Sequence, residues 1–304
     1  MKVIPPIKVT SEVLISTNAP ENDAPEWDNL TTYADRDRVI LSAKKMVYES
    51  VQGSNLGNAP DEVASTFWVP VMATNPWRAF DGVLSAPVTK TGGIQYTLAP
   101  EVLIRAVGVI GVKASHVAVR VINPEDEVVI FQRQSVVDFT DIIDPLSMVT
   151  VEPGTRETVI FEDILCQPGN TIQINIGEGT GDVSVSEIIV GDAIDLGTAV
   201  FGSGIGIDDF SQFQEDQFGN VQIVQRGYRD TTRFIVSMNT GSTRRIRRSL
   251  AKIRAQFALY YFTADEQDYG TTVLGKYDSL EMLLSGPNVS DMELKVRGAT
   301  YDGD

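Results

Sequence analysis

Between residues 83 and 196, apolar and polar positions alternate in short runs separated by turn residues. "GGIQYTLAP", "HVAVRVIN", "NTIQINIGEG" and "VSVSEIIVGD" alternate, and "EVVIFQRQSV" is β-branched and aromatic. The turn signals "NPED", "EPGT", "QPGN" and "GEGTGD" recur between them. Many short strands at this spacing predict a jelly-roll-type β-sandwich over 76–196. After residue 197 the period changes. "GNVQIVQRGY", "TTRFIVSMN", "FALYYFT", "TVLGKYDSLEMLLS" and "DMELKVRGA" read as strands. "GSTRRIRRSLAKIRAQF" reads as a helix, because Ile246, Leu250, Ile253 and Phe257 fall at i, i+4, i+7 and i+11 on one face. Ser242 or Thr243 is the expected N-cap. The expected fold class is therefore mainly β, with an α+β docking domain, a helix on a sheet, over 197–304.

The N-terminal quarter is less periodic. Residues 1–26 are rich in Pro, Asn and acidic side chains around one β-like run, and they predict an extended arm ordered by a neighbour. Residues 27–75 make a small aromatic-rich β domain. A segment of that size has too little aliphatic surface for an ordinary core, so Trp27, Tyr33, Tyr48 and Trp68 are expected to pack it. "ATNPWRAFDG" is a Pro- and Gly-punctuated junction, with Asp81-Gly82 as its turn. "FGSGIGIDDF" lacks the G-x-G-x-x-G spacing and reads as a flexible interdomain hinge.

Charge narrows the function classes. The 304 residues carry a net charge of −16, which opposes nucleic-acid binding by the protein as a whole. Six of the 25 basic residues nevertheless lie within eleven positions of the helix, from Arg244 to Arg254, with no acidic residue among them. Neighbouring like charges repel along a helix. Either this is a solvated face, or Arg244, Arg245, Arg247 and Arg248 are interface residues for carboxylates of a partner or a second copy. DNA contact is the rival reading. The apolar run at 102–112 carries Arg105 and is too short to span a bilayer, and "MKVIPPIKVT" is no secretory signal, so cytoplasmic synthesis without membrane insertion is expected.

Candidate chemistry is sparse. One cysteine, Cys166, makes no intramolecular disulfide, and the single histidine, His116, has neither the company for a zinc site nor a G-x-S-x-G elbow. Carboxylates at 208–209, 215–216 and 265–268 are candidate acid/base pairs for glycoside hydrolysis, which requires a fixed separation across a cleft. No EF-hand spacing occurs, and no metal or cofactor is expected.

Three resemblances add to this reading. Trp27, Tyr33, "DRV" at 37–39, Tyr48, Asn55, Gly57, Pro60 and Trp68 stand in an order that resembles the small chitin-binding-type carbohydrate-binding modules. That resemblance implies a glycan site using Trp27, Tyr33, Tyr48 and Trp68. The stretch after the second tyrosine, "ESVQGSNLG", has none of the aromatics that stack on sugars in that family, which favours use as a scaffold. "NPWRAFDG" followed by "GGIQYTLAPEVLIRAVGVIGV" is similar to the start of discoidin-like, galactose-binding-type sandwiches. Finally, "MKVIPPIKVT", the Trp/Tyr module, "ATNPWRAFD", the sandwich and "GIDDFSQFQEDQFGNVQIVQRGY" follow in an order that looks like a group of minor tail and tail-tip proteins of tailed bacteriophages. It implies a non-enzymatic structural component of a tail tip or baseplate, located in the virion. The implied partners are other tail proteins, further copies of the chain and host-surface glycan. A glycan receptor-binding protein and a glycan-cleaving enzyme are the alternatives.

Overall fold

The computed structural model describes residues 1–62, 65–137, 158–215, 218–219, 221–262 and 270–301, and they are mainly β, built from antiparallel sheets. The turn expected at 152–155 and the carboxylates at 216 and 265–268 lie outside the described residues.

Strand Ala106–Ile110 is buried at all five positions, as is Glu187–Gly191 beside it. Both belong to a three-stranded sheet completed by Thr158–Phe161. On one side Val107, Val109, Phe161, Ile188 and Val190 join the largest core. On the other, Ala106, Ile110, Ile160 and Ile189 pack on Ile4, Leu259, Tyr261 and Leu274. A sheet covered on both faces needs apolar residues at every position, which explains the unbroken apolar stretch Ala106–Ile110. Gly108 belongs to this contact, since a Cβ there would collide with the Leu259 side chain.

The largest core is closed by a five-stranded antiparallel sheet ordered Val128–Val136, His116–Asn123, Thr171–Ile176, Ile94–Leu98 and Leu14–Thr17. Here the two-residue period holds. Ile172, Ile174 and Ile176 point into the core, while Gln173 and Asn175 are half-exposed. On the far side of the three-stranded layer lies an eight-stranded sheet. Its order is Ile194–Asp195, Lys2–Ile4, Ala258–Tyr261, Val273–Leu283, Val289–Tyr301 and Tyr228–Asn239, with Thr198–Ala199 and Gly204–Asp209 both pairing the last strand. Helix α1, Thr243–Lys252, covers the outer face of this sheet. Among the described residues, no helix is long and apolar enough to cross a membrane.

Several expectations are corrected. Residues 1–26 are not an arm awaiting a neighbour. Lys2–Ile4 is an inner strand paired on both edges, to Ile194–Asp195 and to Ala258–Tyr261, and Leu14–Thr17 extends the five-stranded sheet. Backbone ladders within the same chain satisfy what a partner was expected to supply. The chain beginning therefore shares a sheet with the 197–304 segment. The glycine-rich stretch is no hinge, because Gly204–Asp209 pairs residue by residue with Tyr228–Arg233. The helix start is also different. A 3₁₀ turn, Thr240–Ser242, precedes it, Asn239 Oδ1 accepts from Gly241 N at 2.8 Å, and Ser242 makes no side-chain cap bond. Ile246, Leu250 and Ile253 face the sheet as expected, but Phe257 is 41% exposed. The helix stops at Lys252 and Ala255 takes a left-handed φ of 62°, so helical spacing no longer governs residue 257.

Candidate interaction surfaces

In the small module, Arg38–Leu41, Met46–Ser50 and Trp68–Ala73 form a three-stranded sheet, and Thr32–Tyr33 pairs Asn55–Leu56. Its core is Tyr33, Val39, Tyr48 and Trp68, with half-buried Trp27 packed against them. Tyr33 meets Trp68 edge to face at 5.1 Å between centroids. The Trp68 indole N–H donates to Asn58 O at 2.9 Å, and buried Asn55 donates to Ser50 Oγ at 3.0 Å. Gly57 in the same motif has a φ of +74°. The motif residues are thus the module's packing. Tyr33, Tyr48 and Trp68, expected from the resemblance to hold sugar, have no exposed face for one, and the exposed large apolar residues nearby are the aliphatics Leu30, Val51, Leu56, Val69 and Val71.

Trp68 is 4% exposed, so Trp68→Ala is expected to cost about 3–5 kcal/mol locally. Limited proteolysis should then cut within 27–70. Resistance equal to that of the native chain, combined with loss of binding on a glycan array, would restore the sugar-platform reading.

The junction Asn75–Phe80 is a 3₁₀ turn with Pro76 at its start, where a missing N–H costs nothing. Asn75 holds three segments, donating to Pro20 O at 3.0 Å and to Thr89 O at 3.2 Å while accepting from Thr89 N. Asp23 pairs with Arg78, and the Lys45 ammonium sits 3.3 Å above the Trp77 ring. Beyond the turn, Gly82 N donates to Glu187 Oε2 at 2.9 Å. Burial pushes the Glu187 carboxyl up to about 9, helped by the nearby Asp81. Burial also raises Asp81, to about 6. A carboxyl kept neutral in the interior fastens the junction to the three-stranded layer. The apolar surroundings of Glu187 in "SEIIVG" were its only sequence signal.

The expected interface arginines divide between two flanks of α1. Ile246, Leu250 and Ile253 point at the sheet, and each residue turns the helix by about 100°. Arg244, Arg247 and Arg248 consequently share one flank, and Arg245 lies on the other. The first three, with Thr243 and Ala251, face Leu280, Met282 and Leu284 across a groove of about 670 Å³. Arg245 instead lines a second depression, with Asp195, Asn239 and Asn288. Ion pairs among the described residues use Arg38, Arg78, Arg105, Arg229, Arg233 and Arg297, and none of the four helix arginines. No acidic residue occupies the first turn of α1. Arg244 and Arg245 therefore stand in the first turn, near the positive end of the helix dipole, the unfavourable end for cations.

The sequence did not announce a third surface. The segments 204–215 and 221–233 form one long antiparallel ribbon, paired Gly204↔Arg233 through Asp209↔Tyr228 and then Gln212↔Val224 through Glu215↔Val221. Val289–Tyr301 supports only its base, where Tyr301 pairs Tyr228. Past that point the ribbon has two strands. Phe213, Ile223, Glu215 and Val221 share one face by the strand period, and Gln212, Gln214, Gln222 and Val224 share the other. Phe213 and Ile223 are 66% and 62% exposed. The first face continues toward the sheet as a groove of about 550 Å³ lined by Ile207, Asp209, Phe213 and Ile223.

The remaining candidates for chemistry are dispersed. Asp208 and Asp209 project to opposite faces of one strand, Asp208 held by Arg229 at 2.8 Å and Asp209 by Ser211. They do not face each other across a cleft. His116 has Ser115 Oγ 3.1 Å from Nδ1, and burial pushes the Cys166 thiol up to about 11. Among the described residues, no three His, Cys, Asp or Glu side chains gather as a metal site. No family model matches the chain, and no curated protein matches it.

Proposed function

We propose that the chain is a non-enzymatic structural subunit of a bacteriophage tail tip or baseplate, joined to its neighbours through the basic flank of α1. The observation that carries this reading is the set Arg244, Arg247 and Arg248, without ion pairs among the described residues, beside half-buried Leu280 and Met282 and exposed Leu284 in a protein of net charge −16. Exposed guanidinium groups contribute little to folding and are suited to carboxylates brought by another protein. The order of segments that resembles tail-tip proteins supplies the setting, the virion. In this reading the Trp/Tyr module and the galactose-binding-like sandwich are borrowed scaffolds, supported by the inward packing of the module's aromatics.

Changing Arg244, Arg247 and Arg248 together to Gln should leave the melting temperature nearly unchanged, because exposed charges contribute little to stability. Incorporation of the variant into particles should fall, and wild-type incorporation should weaken as salt screens the pairs. Salt-independent incorporation, equal for both proteins, would reduce α1 to a solvated face.

A further inference from the structure

We infer that the α1 groove receives the ribbon of a second copy of this chain, so that copies join head to tail. The inference rests on the assembly reading above and names its partner.

Each surface lacks what the other offers. The ribbon beyond Tyr228 is amphipathic, yet on its apolar face Phe213, Val221 and Ile223 are exposed among the described residues. A two-stranded ribbon in water is marginally stable without a cover. The same face bears the carboxylates Asp209 and Glu215, and hydrogen bonds from Ser211 hold Asp209 below the usual carboxylate range. The groove presents the converse pattern, three arginines along one wall and Leu280, Met282 and Leu284 along the other. Leu284 is 72% exposed. Apolar strip meets apolar strip, and carboxylates meet guanidinium groups.

The fold prevents a chain from serving itself. Leu283 pairs Asp291, which pairs Ser237, so the groove's strand ends level with Ser237. The ribbon leaves the sheet at Tyr228, about 30 Å away along the same strand, and it runs outward. Ribbon and groove therefore sit at opposite ends of one sheet. A contact between two different surfaces of identical chains is heterologous, and its repetition gives a ring or a filament. The ribbon face from Ile205 to Glu215 is about 37 Å by 10 Å, so one contact buries roughly 700–800 Å² in total, small for a specific interface. Such a contact holds through repetition, with each copy giving one ribbon and receiving another.

The test uses the full chain and two variants. Phe213→Lys with Ile223→Lys disables the ribbon, and Arg244→Glu, Arg247→Glu and Arg248→Glu disables the groove. Light scattering after size exclusion, across protein concentration and at low and high salt, reports mass. Wild type should associate beyond a dimer, and high salt should weaken it. Each variant alone should associate more than about tenfold more weakly while melting as a native monomer. Mixed in equal amounts, they retain one intact groove and one intact ribbon, and should form a heterodimer that grows no further. A wild-type monomer at all concentrations, or variants that associate like wild type, would overturn the inference. So would a mixture that fails to pair, since the two surfaces would then serve different partners. Binding of duplex DNA that depends on the arginines, without self-association, would assign the groove to phosphate and overturn it as well. If self-association fails while particle incorporation still depends on the arginines, the assembly reading stands and only the identity of the partner falls.

Discussion

Removing residues 1–6 should leave no soluble folded protein. Val3 and Ile4 are fully buried, but on opposite faces of the eight-stranded sheet. Val3 joins the core beneath α1, and Ile4 joins the core shared with the three-stranded layer. Ladder hydrogen bonds run from this strand to both neighbours, so its loss exposes two inner edges and leaves cavities in two cores. Ile4→Ala alone should cost about 2–5 kcal/mol, a large share of the roughly 5–15 kcal/mol that stabilises a typical domain. Soluble yield and circular dichroism test the deletion, and a denaturant titration tests the point variant. A deletion that melts like wild type would show the strand to be dispensable.

Glu187→Gln should make the protein more stable than wild type at pH 8, with the difference shrinking toward pH 5. The folded state raises this carboxyl from its ordinary 4.5 to about 9, so between those values the folded protein holds a proton that the unfolded chain has released. Its contribution is complete below pH 4.5 and is lost as the pH rises through 9. One unit of pH is worth about 1.4 kcal/mol in that window, so roughly 4 kcal/mol separates pH 5 from pH 8 for this group. Glutamine offers Gly82 N–H an acceptor and has no proton to lose. Denaturant midpoints of both proteins at pH 5, 6.5 and 8 measure the effect. A pH-independent difference would show that the carboxyl is ionised in the folded state.

The sequence revealed those features whose physics is local. The period of "TIQINI" placed a one-sided strand, and Ile246, Leu250 and Ile253 placed the inward face of α1. What it concealed depends on distant partners. "KVI" at residues 2–4 is too short to stand out, and only strands some 190 and 255 residues later make it a sheet interior. Gly204 and Gly206 promised freedom, yet pairing with Arg233 and Thr231 overrode it. The candidate site was half legible. The arginine cluster is plain in the sequence, whereas its division between two flanks required knowing where the helix meets its sheet. The ribbon was legible in part: "GNVQIVQRGY" reads as a strand, but its partner Gln212–Glu215 emerges only when the two are set in register.

The position of Lys2–Ile4 also sets a timetable. This strand is made some 255 residues before its partner Ala258–Tyr261. At about 5–20 residues per second, the wait is roughly 13–50 s. Ile194–Asp195 can pair one edge of Lys2–Ile4 earlier, but the other edge stays open until Ala258–Tyr261 is made. The eight-stranded sheet closes only once its later strands follow. Such long-range closure is slow, and a nascent chain in this condition is a natural client for chaperones. Translation products that stop before Ala258 lack the strand that pairs the second edge of Lys2–Ile4.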